Sequence, residues 1–449
     1  MGEGRSAGGH SGHIARLHPT VRGARYSSGV EQALWFALGV IVMIAGLALS
    51  IALHEWGHYR PAKAFGVTIT RFMVGFGPTL FSRQRGGTEF GVKAIPLGGY
   101  VSMKGMVPSE ASGSMGDEND SRGSFYRLSV PRRIVVMLGG PVMNLVIAVV
   151  LYALLLMGFG TVQPGLTVGS VSECVVPATE TRTTCLPTDL PAPGAEAGLL
   201  PGDVIVAVDG VQVEGWLDVT DIIRAHPGTP LALDVVREGN PVRLSITPVL
   251  TERFAIDDRG EVVLDDSGNP VIVSVGFVGF GAALETVRQP IGAVVPAVWD
   301  NITGVATILW TLPERMVQVA EAAFGPEERD PNGPVSVVGV GRIAGEIASI
   351  GDIDTTDRVA GFIALLASLN IALFVFNLIP LLPLDGGHVA VALIDGGRRA
   401  VARLRGLAEP APFDASRLVP LTLVVVVLLA GMSVLLMYAD IVNPISLIE

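Results

Sequence analysis

The chain has 449 residues, of which 49% are hydrophobic and 16% charged, and its formal net charge is −11. So few charges argue against a wholly soluble globular protein, and no nucleic-acid partner is expected. A bilayer core is crossed by roughly 20 mostly apolar helical residues, because backbone polar groups must be satisfied internally there.

Residues 1–29 are rich in Gly, Ser, His and Arg without apolar periodicity, so a disordered tail is expected, with His10, His13 and His18 solvated. The first stretch able to span follows, from about Gln32 to Leu53. It is too long, and too weakly followed by a small-residue cleavage site, for a removable signal peptide, so it should remain as an anchor. Its end carries His54-Glu55-Trp56-Gly57-His58, an H-E-x-x-H pattern. On a helix, residues four apart share a face, so both imidazoles can bind one ion while Glu55 stays close enough to move a proton. Ionisable groups at the edge of an apolar span are costly and usually functional. A catalytic zinc wants a third protein ligand and an open position for water.

From Thr68 to Met103 the chain alternates apolar and polar residues and breaks at Arg85-Gly86-Gly87, which predicts a membrane-associated β-hairpin or sheet. An exposed strand edge there is a candidate for holding an extended peptide, a purely structural sheet being the alternative. Pro108 to Ser124 reads as a flexible loop, and Ile134 to Phe159 as the second span, closing a 30–160 unit.

Lys and Arg crowd the loop between these spans, from Arg60 to Arg133, and recur from Arg398 to Arg417. Positively charged loops stay cytoplasmic, which leaves the stretch from Gly160 to Asp357 outside. Arg5, Arg16, Arg22 and Arg25 oppose this orientation but are fewer. Cys174 and Cys185, the only cysteines, fall on the oxidising side and are expected to form a disulfide.

Residues 161–250 contain short β-type runs such as 204–208 and 231–236. The segment Ala197-Gly198-Leu199-Leu200-Pro201-Gly202-Asp203, leading to Asp209-Gly210, resembles bacterial PDZ domains, which implies an extracytoplasmic α+β domain binding peptides on a sheet edge. The stretch 251–357 is expected to be a linker with amphipathic or membrane-skimming helices. Pro290 to Leu312 is apolar but interrupted by Asp300 and Asn301, and Gly333 to Ile350 is a re-entrant candidate.

Residues 358–449 supply the last two spans, Ala360 to Leu382 and Leu418 to Tyr438, for about four in all. The third ends in Asn377-Leu378-Ile379-Pro380-Leu381-Leu382-Pro383-Leu384-Asp385-Gly386-Gly387-His388. Alternating spans put this end on the same side as His54 and His58, so Asp385 is the candidate third ligand. A fifth crossing would separate them. His388, beyond two glycines, is expected to cap or to point toward the basic loop, outside the ligand set.

These motifs, with Gly-Phe-Gly-Pro, Pro-Leu-Gly-Gly-Tyr and Gly140-Pro141-Val142-Met143-Asn144, resemble the site-2 protease family, in its actinobacterial regulated intramembrane proteolysis form, from about Leu34 to Val391. The resemblance implies a polytopic α-helical membrane protein of the inner or plasma membrane with its active site near the cytoplasmic face. It implies zinc on His54, His58 and Asp385, Glu55 activating water, and Asn377 positioning substrate. Its substrates would be single-span membrane proteins such as anti-sigma factors, trimmed beforehand by a site-1 protease. A metal-transit protein and a PDZ-bearing scaffold remain as other readings of the residues.

Overall fold

The computed structural model describes residues 29–106, 123–180, 182, 184–257, 262–265, 269–325, 329–330, 333–351, 354–408, 410, 413 and 418–445. The expected tail up to residue 28 and most of the expected loop from Pro108 to Ser124 lie outside them. The chain divides into two units, one of Met1–Tyr152 with Val295–Glu449 and one of Ala153–Val294.

The first unit begins with α1 (Gly29–Ala64). Hydropathy marks only its apolar part, but the helix continues through the H-E-x-x-H segment to Ala64, where Lys63 favours the negative end of the helix dipole. Two strands follow, β1 (Ile69–Arg85) and β2 (Thr88–Met103). They meet at Gly86-Gly87, whose φ of +58° and +80° suit the two-residue turn that matches strand twist.

The expected hairpin is more elaborate than two straight strands. Phe72 pairs with both Val101 and Phe90, and Met73 with both Tyr100 and Gly91. Each strand therefore bends back, giving four short runs in the order 99–103, 69–74, 88–93, 79–85. The run 99–103 is an edge with no further strand partner among the described residues.

The second long helix, α2 (Val130–Ala153), continues as a π-helical segment over Leu154–Phe159. Ala62, Ile69, Phe72, Val74, Val101, Val136 and Met137 form one buried cluster, which fastens the sheet to α1 and α2.

The Ala153–Val294 unit contains β3 (Thr161–Val171), α3 (Pro193–Glu196), β4 (Val204–Val208), β5 (Val211–Gln212), α4 (Trp216–Ala225), β6 (Leu231–Arg237), β7 (Asn240–Ile246), β8 (Val249–Phe254), β9 (Ile272–Phe277) and β10 (Phe280–Val287). The main sheet runs β10-β3-β4-β6-β7 with β5 on β4, and β8 pairs with β9. Leu231, Leu233 and Val235 alternate inward on β6 and meet Val219 and Ile223 of α4. The expected break at residue 250 does not coincide with the unit's edge. β10 returns to pair with β3, from Phe280 opposite Val171 to Val287 opposite Thr161. That long-range pairing leaves no local sequence signal.

Back in the first unit, α5 (Val294–Trp310), α6 (Leu312–Phe324), α7 (Val337–Ser349), α8 (Thr355–Asn377), α9 (Asp385–Leu404) and α10 (Val419–Val442) complete the chain. Among the described residues, five helices rather than four are long and apolar enough to cross a membrane, the fifth being Ile291–Trp310. The polar interruption there is accommodated, since the Asn301 amide reaches Ser368 Oγ on α8 at 3.5 Å.

α7 packs against the first half of α1, where a Cβ on Gly39 would meet Ala344 and one on Gly345 would meet Phe36. α8 runs in the same direction as α1, with Leu366 beside Gly46 and the Asn370 amide donating to Ser50 Oγ at 3.0 Å. It ends at Asn377, short of the expected Leu382, because Pro380 and Pro383 cannot continue the helix.

Candidate metal centre

α1 and α2 touch through bare backbone. A Cβ on Gly57 would fall 2.2 Å from the Gly139 carbonyl oxygen, and one on Gly139 would fall 2.1 Å from that of Gly57. One position along, a Cβ on Gly140 would stand 2.2 Å from His58 Nε2 and 2.7 Å from His54 Nε2. Three glycines thus open the space in which both imidazoles sit. A further tether fixes one ring, as His58 Nδ1 lies 2.8 Å from the Val136 carbonyl oxygen of α2, which makes Nδ1 the protonated nitrogen and leaves Nε2 free.

Asp385 is the first residue of α9. Gly386 and Gly387 let that helix start directly against the preceding turn, since a Cβ on either would lie within 2.5 Å of the backbone at Ile379 or Leu382. The carboxylate so placed meets both histidines: Asp385 Oδ2 is 3.4 Å from His54 Nε2 and 3.3 Å from His58 Nε2, and the two nitrogens are 3.2 Å apart.

Three electron-rich atoms gathered this closely repel one another unless a proton or a metal cation lies between them. Ligands on a tetrahedron about 2.0–2.1 Å from zinc stand about 3.3–3.4 Å apart, which matches the observed triangle. Asp385 Oδ2 is also buried without a hydrogen-bond partner. The donor set, two imidazole nitrogens and one carboxylate oxygen, suits zinc with a position left open.

Glu55, 7% exposed, occupies the next position on α1. The edge run of β2 passes over it, where a Cβ on Gly99 would be 2.9 Å from Glu55 Cγ. His388 is half-buried on the first turn of α9, within electrostatic reach of Asp385 and His58. It is not among the three clustered residues that could hold a metal ion. Asn377, at the last turn of α8, forms no side-chain hydrogen bond to the described residues and is half-buried. Cys174 and Cys185 are joined as a disulfide.

Sequence reasoning overlooked the roles of Gly57, Gly139 and Gly140. The available signal was a glycine inside H-E-x-x-H and a Gly-Gly pair inside an apolar span, where helix backbones can approach.

Two imidazoles and a carboxylate at the end of a membrane-length helix, with a buried glutamate alongside, define a membrane metallohydrolase. The profile of Peptidase family M50 matches residues 42–408. Zinc metalloprotease Rip1 of Mycobacterium tuberculosis H37Rv is 36% identical over 428 residues, covering 93% of this chain and 100% of that protein. Rip1 of Mycolicibacterium smegmatis is 32% identical with the same coverage. Metalloprotease MmpA of Caulobacter vibrioides is 29% identical over 79% of this chain and 86% of its own. The chain belongs to peptidase family M50, the site-2 proteases, and is a membrane zinc metalloprotease.

Proposed function

We propose that this protease hydrolyses peptide bonds within or beside the transmembrane segment of single-span membrane proteins, of the anti-sigma-factor kind, after a site-1 protease has trimmed them. The carrying observation is the triangle of His54 Nε2, His58 Nε2 and Asp385 Oδ2, with separations of 3.2–3.4 Å beside buried Glu55. Zinc held by these three residues supplies Lewis acidity to the scissile carbonyl and to the attacking water.

Glu55 takes a proton from that water as the oxygen bonds to the carbonyl carbon. It then gives the proton to the amine nitrogen as the C–N bond breaks. A substrate helix hides its carbonyls in intrahelical bonds and must unwind first. The unpaired edge at 99–103, passing over Glu55 at Gly99, suits an extended substrate added as a further strand. Asn377, with its carboxamide unengaged, is assigned to positioning that substrate.

The parallel run of α1 and α8 supports a multi-pass arrangement in which Ile291–Trp310 adds no net crossing, so that Asp385 returns to the histidines. Basic residues at Arg60, Lys63 and 398–405 support a cytoplasmic side for the segments that carry His54 and Asp385, and an extracytoplasmic side for the stretch 160–357. That unit acts as a PDZ-like filter. A groove of about 350 Å³ between α4 and β10, lined by Trp216, Ile223, Arg253 and Phe280, offers a sheet edge for an extended segment.

The test reconstitutes wild type and Glu55→Gln with a tagged, pretrimmed single-span substrate, with and without a zinc chelator. Cleavage is lost in the variant, which keeps its zinc, and in the chelated wild type. Persistent cleavage by a pure Glu55→Gln sample contradicts the assignment. Unchanged substrate choice after the groove is blocked contradicts the filter.

A further inference from the structure

Asp385 reaches the candidate metal centre as the first residue of α9, directly after the turn over 378–384. A helix slipped by one residue moves its side chains by 1.5 Å along the axis and about 100° around it, according to ideal geometry. Either displacement would take Asp385 away from the 3.3 Å and 3.4 Å separations it makes with the histidines. Something further down α9 must hold its register.

That hold is visible at Asp395. Its Oδ2 accepts from Arg133 Nη1 of α2 at 2.9 Å, with side-chain exposures of 3% and 7%. Its Oδ1 accepts from the Phe413 backbone N–H at 2.6 Å. Beside it, a Cβ on Gly396 would stand 3.2 Å from Val130, so α9 rests closely on the first turn of α2.

The α2 residues concerned form a single face. Arg133, Val136 and Gly140 are spaced three and then four apart, which stacks them along one side of the helix. Val136 holds the His58 ring, Gly140 makes room for both imidazoles, and Arg133 grips the helix that bears Asp385.

We propose that Arg133 and Asp395 are positioning residues, and that α2 thereby aligns all three zinc ligands from one face. The proposal rests on the zinc site of His54, His58 and Asp385. A buried carboxylate and guanidinium hold each other in one geometry, because either one unpaired in that setting is strongly unfavourable. The side-chain polar contacts of the pair are with each other, the Phe413 backbone and Arg398, and include none of His54, Glu55, His58 and Asp385. Its effect passes through the axial and rotational setting of α9.

The experiment uses the full chain in detergent, with zinc affinity measured by chelator competition and ligand geometry by the visible spectrum of the cobalt(II) form. His54→Ala is included first; zinc bound as tightly by that variant as by wild type would sink the metal centre itself. Arg133→Met and Asp395→Asn are expected to weaken zinc binding about 10- to 100-fold, the range for residues that orient metal ligands, and to alter the cobalt spectrum.

Asp440→Asn, which breaks the equally buried ion pair with Arg329 between α10 and the segment before α7, controls for general loss of stability. It should leave both readouts at wild-type values. If Asp395→Asn fails to fold, Asp395→Glu keeps the charge but moves the carboxylate by one methylene, and a smaller loss of affinity with an altered spectrum is expected. Wild-type zinc affinity and spectrum in the Arg133 and Asp395 variants overturn the proposal, as does an equal loss in Asp440→Asn.

Discussion

In the 153–294 unit, Asp203 is 1% exposed and both of its oxygens are taken by Arg237, each at 2.7 Å. In the candidate metal centre, Asp385 Oδ2 is buried without a hydrogen-bond partner. A buried acceptor left unpaired forfeits its solvation, and a metal ion held between His54 Nε2, His58 Nε2 and this oxygen would offset that loss. The Asp203–Arg237 pair therefore holds a fold together, whereas the Asp385 oxygen is left for a ligand. Mutations on the two sides should separate stability from metal binding.

Glu55→Gln gives the largest effect. Cleavage should fall by about a thousandfold, within the range for losing general acid–base catalysis, while metal content by atomic absorption stays at wild type. Gly140→Ala comes next. Its methyl would overlap His58 Nε2 at 2.2 Å, so zinc affinity should drop about 100-fold in chelator competition, with the melting of the 153–294 unit unchanged.

The comparison is sharpened from the other side by the disulfide. Replacing Cys174 and Cys185 with Ser opens a loop with a sequence separation of 11. This should cost about 2–3 kcal/mol in calorimetric unfolding of that unit and leave zinc binding intact.

Asp203→Asn should cost about 2 kcal/mol, the value of a charge-assisted buried hydrogen bond. It carries a pH signature. Arg237 holds the Asp203 carboxyl below the usual carboxylate range. Its contribution is therefore full above the unfolded pKa of about 4 and is lost as pH falls through the lower folded value. The variant should show a flatter acid limb in thermal melts. Arg243→Gln, breaking the exposed pair with Asp234, should give no measurable change.

The candidate ligand residues were legible because their chemistry is local: H-E-x-x-H is a helical spacing, and an aspartate before two glycines stands out at the end of an apolar span. The span ends were less so. α1 runs to Ala64 because helicity outlasts hydrophobicity, and α8 stops at Asn377 because prolines interrupt what remains apolar. The doubled pairing of 69–74 was hidden, since alternation marks strands but not which edges they share. Arg133 and Asp395 are 262 residues apart, and neither has a local pattern that names the other. The helix approach at Gly57 and Gly139 is likewise a property of two segments at once.

The central claim is that two helices far apart in sequence converge on one zinc, and X-ray absorption at the zinc edge of the purified full chain tests it most directly. The account predicts one zinc per chain with two imidazole nitrogens and light oxygen donors at about 2.0–2.1 Å, the imidazole signal halved in His58→Ala and zinc weakened in Asp385→Ala. A wild-type zinc spectrum and affinity in Asp385→Ala would contradict it.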